Sequence, residues 1–67
     1  MVDKHPLTHG ERVFIKTLVN GENRRDFSLM SGISISTLAT MQRVIIAKLQ
    51  AKSILHAIAI LYKNNWL

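Results

Sequence analysis

Gly32 and Ser34 constrain this chain more than any other pair, because they make one helix stop and another start within three residues. Glycine takes the left-handed backbone that ends a helix without strain, and a serine two positions on can accept from the free N–H groups of the next helix. The segments on both sides are short and amphipathic. A glycine turn between two such segments is how a helix-turn-helix sets its second helix across its first. The helix 35–49 is then the one offered to a major groove, with the remaining chain as its scaffold.

The other boundaries follow the same chemistry. Thr8-x-x-Glu11 is a capping-box pattern, so the first helix opens at Thr8, carries Phe14, Ile15 and Leu18 inward, and stops at Gly21. Glu11 shares their face, which suits it to close the cap and to pair with Lys48 across the core edge. Asn23, with Asp26 three positions later, caps a second, short helix. Phe27 and Met30 are expected to face the core, and Arg24 and Arg25 stand in the first turn, where the helix dipole disfavours cations. In the third helix Leu38, Met41, Ile45 and Leu49 fall on one side, and Ser36, Ala39, Thr40, Arg43 and Ala47 on the other. The break at Gln50-Ala51-Lys52 precedes Ser53, which caps a last helix running to about Asn64. There Ile54, Ala57, Ile58 and Leu61 form a stripe, while Leu55, Ala59, Ile60 and Tyr62 extend apolarity around the cylinder. A helix so apolar in so small a domain is expected to meet a second subunit.

These signals predict an all-α chain: one domain over 1–67, with a flexible lead at 1–6 and a helical core over 7–64. At 67 residues with 48% hydrophobic content and no cysteine, the core has neither disulfide nor thiolate-zinc support. Nine Lys and Arg against four Asp and Glu give a net charge of +5, which favours polyanionic partners, nucleic acid first. The N-terminus lacks the apolar run of a signal peptide. The apolar stretch 54–62, interrupted by His56, is far short of the roughly 20 residues that span a bilayer, so a soluble, cytoplasmic chain is expected. His5 and His9 have a ligand-like spacing, but Pro6 lies between them and the helix begins only after them. His56 stands alone, and no metal or cofactor is expected. The acids Asp3, Glu11, Glu22 and Asp26 form no acid–base pair, so no catalysis and no small-molecule substrate are expected. Trp66 is expected to pack against Tyr62 or a dimer seam rather than to stack on a base.

In register, these motifs resemble the LuxR/GerE-type helix-turn-helix domains of bacterial transcription regulators. Leu7-Thr8-x-x-Glu11-Arg12 is similar to the family's opening signature, and Gly21 falls on its helix-ending glycine. Ile33-Ser34-x-x-Thr37-Leu38 and Ile45-x-x-Lys48-Leu49 match its central motifs, and Ala57 matches the alanine of its final helix. The resemblance runs without gaps from Leu7 to about Ile58. It implies a four-helix domain whose third helix recognises double-stranded DNA and whose fourth helix is a dimer interface, in a homodimer or with another regulator. Base-edge contacts would fall on Ala39, Thr40 and Arg43, with Arg43 on a guanine and Ala39 against thymine methyls. Phosphate contacts would fall on Arg24, Arg25, Ser34, Ser36, Lys48 and Lys52, and pairing on Ile54, Ala57, Ile58 and Leu61.

The chain departs from the family at Ala39, where a lysine or other long polar residue is usual, and at Met41, where a histidine is usual. Ser28 and Ser31 replace a small alanine and a leucine of the second helix. The first pair of departures motivates an alternative: an interaction module that keeps the fold, pairs with another regulator and binds no specific DNA itself. A third reading, peripheral membrane binding by 54–66, suffers from a polar face that is scarcely basic.

Overall fold

A computed structural model describes residues 5–67, and its regular elements are four helices: α1 (His9–Val19), α2 (Arg24–Ser31), α3 (Ile35–Lys48) and α4 (Ile54–Lys63). Each starts on the residue whose side chain can accept a backbone N–H. Thr8, Asn23, Ser34 and Ser53 hold the four caps, accepting from Glu11, Asp26, Thr37 and His56 in turn. Each gives an acceptor to one of the orphan N–H donors of a first turn, an interaction worth about 1 kcal/mol.

The helix ends are as well determined. Gly21 (φ 90°) donates to Leu18 and Glu22 to Thr17, a paired closure of the last turn of α1. Gly32 (φ 77°) ends α2 by donating to the Ser28 carbonyl at 2.9 Å. The same paired closure ends α3 and α4, but with Gln50 (φ 52°) and Asn65 (φ 58°) in the left-handed position. Asparagine tolerates that conformation; glutamine is held there at some cost, against the bonds Gln50 N–H to Ala47 and Ala51 N–H to Ile46.

The core is one cluster. Leu7, Phe14, Ile15, Phe27, Leu38, Ile45, Ala57 and Leu61 are buried, with Leu18, Ile33, Met41, Leu49, Ala51, Ile54, Ile58 and Trp66 packed around them. The Phe14 and Phe27 rings meet at 5.4 Å with a 47° tilt, joining α1 to α2. α3 packs against both α2 and α4 and is the central element. Across residues 32–34, α2 and α3 bend by 116°. No single helix among the described residues is long and apolar enough to cross a membrane.

Two expectations are corrected. Met30 does not face the core; it is 78% exposed, because Phe27 alone fills the one face that the eight-residue α2 turns inward. The two serines that depart from the family have their hydroxyls bonded at the turn: Ser28 Oγ donates to the Ile33 carbonyl, and the exposed Ser31 Oγ accepts the Ile33 N–H at 3.2 Å. Nor do residues 5 and 6 belong to a free lead. Leu7 N–H donates to His5 Nδ1 at 3.1 Å, which places the ring proton on Nε2, and Nε2 donates to the Trp66 carbonyl at 2.9 Å. The His5 and Trp66 rings lie 5.8 Å apart, so the start of the described chain is clasped to its end. The rest of the expected lead, residues 1–4, lies outside the described residues.

Glu11 and Lys48 meet as expected. Glu11 Oε1 accepts from the Thr8 N–H at 2.9 Å and from Lys48 Nζ at 2.7 Å, so one carboxylate closes the α1 cap and ties α1 to the end of α3. Burial pushes this carboxyl upward. The hydrogen bonds from Lys48 and Thr8, with the Lys48 charge, outweigh it and hold the group below its ordinary value of 4.5. A depressed carboxyl stabilises the fold above its unfolded value and loses that contribution as pH falls through the folded one. Urea midpoints should therefore fall as pH drops below about 4.5. Glu11→Gln keeps the cap oxygen but not the charge, so it should be less stable at neutral pH and show a shallower acid slope. An unchanged slope would mean that the pair contributes nothing to stability.

Candidate nucleic-acid interface

α3 presents a face shaped by what its other face must do. Leu38 and Ile45 are fully buried and Met41 and Leu49 partly so, which fixes the rotation of the helix about its axis. Ser36, Thr40, Arg43 and Ala47 are then exposed together, within a roughly 60° arc of the helical wheel. Ala39 stands at one margin, half-buried, and Val44 at the other, 38% exposed. Val44 was not singled out from the sequence, although its spacing of four from Thr40 places it beside the same arc.

Hydroxyl groups on this helix are largely committed. Ser34 Oγ accepts the Thr37 N–H at 3.1 Å and donates to Thr37 Oγ1 at 2.9 Å. Thr40 Oγ1 donates to the Ser36 carbonyl at 3.3 Å. Ser34 is therefore first a cap, while the exposed first turn of α3 still holds backbone N–H groups without an intrahelical partner, beside the exposed Ser36.

The expected phosphate contacts separate into two sets. Arg24 and Arg25 are exposed at the start of α2, and Lys52 is exposed in the turn before α4. Lys48 differs, because its ammonium is committed to Glu11 at 2.7 Å. That bond makes it a brace between α1 and α3. Charge is also segregated along the chain. No acid follows Asp26, so residues 27–67 carry only the cations Arg43, Lys48, Lys52 and Lys63 among their Lys, Arg, Asp and Glu side chains. A polyanion lying along α3 meets no carboxylate from that helix.

The expected pairing residues of α4 are largely misplaced. Ala57 and Leu61 are 0% exposed, so they cannot touch a second copy, and Ile54 and Ile58 are partly buried against the same core. The outward stripe is Leu55, Ala59 and Tyr62, at spacings of four and three, with Leu55 76% and Tyr62 75% exposed. Trp66 packs on the core and on His5 instead of Tyr62. His56 proves to be a capping group: its N–H donates to Ser53 Oγ at 3.1 Å and its Nδ1 accepts the Lys52 N–H at 3.0 Å. Among the described residues no cavity opens, and no three His, Asp or Glu side chains gather around a common point.

Comparison with protein-family models, with curated proteins and with solved structures returns no match for this chain.

Proposed function

We propose that this chain is a DNA-binding transcriptional regulator, or the DNA-binding part of one, built as a LuxR/GerE-type helix-turn-helix. The observation that carries the reading is the α2–α3 geometry: a 116° bend across a three-residue turn containing Gly32, inside the range for helices of this motif. That bend leaves the outer face of α3 exposed, with small side chains that permit close approach and one arginine able to fork onto a guanine edge. Arg24, Arg25 and Lys52 serve as phosphate positioners, and a second copy of the chain pairs through the Leu55–Ala59–Tyr62 stripe of α4. Ala39 and Thr40 flank Arg43 at the base edges.

One set of observations favours the alternative of an interaction module without specific DNA binding. Leu29 and Met30 are each 78% exposed on α2, a second apolar surface that DNA reading does not require.

Selection from a random-sequence duplex pool, with affinity followed against salt, separates the two. An enriched inverted repeat, bound with a steep salt dependence, is the expected result. No retention of any duplex at low salt would remove the DNA reading and leave the interaction module.

A further inference from the structure

Resting on that reading, we propose that α3 recognises its half-site chiefly through thymine methyl groups, anchored by a single guanine under Arg43. Four aliphatic groups share the open side of the helix with Arg43: the methyls of Ala39 and Ala47, the Thr40 Cγ2 and, at the far margin, the Val44 side chain. Thr40 spends its hydroxyl proton on the Ser36 carbonyl, so it offers a partner no donor, only its Cγ2 methyl and an acceptor oxygen. Thr37, one turn earlier, accepts the Ser34 hydroxyl on its Oγ1 and so stays turned toward the cap.

What this face lacks is as specific. Adenine is read by the paired donor and acceptor of Asn or Gln, and the cytosine amino group by a carboxylate. The helix has no Asn, Asp or Glu, and its one glutamine, Gln42, is half-buried and lies beyond Ala39, outside the exposed arc of Ser36, Thr40, Arg43 and Ala47. Arg43 alone can form a forked contact. The remaining base-edge group that suits aliphatic side chains is the C5 methyl of thymine, which projects into the major groove. The half-site is thus A·T-rich, with thymines placed under α3 and one G·C pair beside them.

The test uses the duplex enriched in the selection above, with each thymine replaced singly by deoxyuridine. That change deletes one methyl and preserves pairing. At two or more positions binding by the full chain should weaken about fourfold, the equivalent of one buried methyl group. Thr40→Ser and Val44→Ala, both at exposed positions, should each bind the thymine duplex less tightly and become indifferent to deoxyuridine at one position while retaining the effect at the others. Sequence-specific binding that ignores deoxyuridine at every thymine, or an enriched half-site without thymine under α3, would overturn this inference and leave the DNA reading intact. Failure to bind any duplex at low salt would overturn both.

Discussion

Leu61→Ala is expected to remove about 2–5 kcal/mol of folding stability, whereas Leu55→Asp should leave the fold nearly untouched and abolish pairing of the chain. The two residues lie on one ten-residue helix, and both are leucines that hydropathy alone does not distinguish. Leu61 is 0% exposed, so truncating it deletes buried methyl groups and leaves a cavity among Phe14, Ile45 and their neighbours in the same core cluster. A chain of 67 residues has only roughly 3–10 kcal/mol of net stability at the usual 0.05–0.15 kcal/mol per residue. The loss is therefore a large fraction of the whole, and Leu61→Ala should be substantially unfolded in urea titrations followed by circular dichroism. Leu55 is 76% exposed, and a carboxylate there costs the monomer little, but in a seam between two α4 helices it would be buried without a partner. Sedimentation should then show a folded monomer. If Leu61→Ala folds with normal stability yet sediments as a monomer, the assignment of Leu61 to the core is wrong and α4 pairs through its other face.

The second large effect is a difference in kind between two arginines. Arg43→Ala should cost about 1–3 kcal/mol on the preferred duplex and relax the preference at one base pair, because the lost contact is a forked bond to a base edge. Arg24→Ala should weaken binding to preferred and random duplexes alike and flatten the slope of log affinity against log salt by about 1, because one phosphate is no longer neutralised. Both side chains are exposed, so neither substitution removes packing from the core. Affinities measured on the preferred and on scrambled duplexes at several salt concentrations separate the outcomes. An Arg43→Ala protein that binds every sequence equally less well would place that arginine on the backbone and not on a base.

The turn chemistry of this chain was legible without coordinates. Thr8, Asn23, Ser34 and Ser53 were recognisable as caps because a short polar side chain ahead of an apolar period has one stabilising use. Gly21 and Gly32 were recognisable as stops for the same kind of local reason. The left-handed Gln50 and Asn65 were not, since neither residue type announces that conformation. His56 was equally hard to assign: its role depends on a bond to the Lys52 N–H that a capping pattern written for Glu or Gln does not contain.

By itself, the sequence determined the four helices, their caps, the inward face of α3 through Leu38 and Ile45, and the Glu11–Lys48 pair. Those features depend on local spacing, or on a charge whose partner had one reasonable place to be. Only the tertiary structure decided which side of α4 is inside, that Met30 stays in solvent, that His5 clasps Trp66, and that Lys48 is a brace. On α4 the reason is that apolar residues occur almost all round the cylinder, so periodicity cannot choose a face. The choice falls to tertiary packing, which buries Ala57 and Leu61 in the shared core and leaves Leu55 and Tyr62 in solvent.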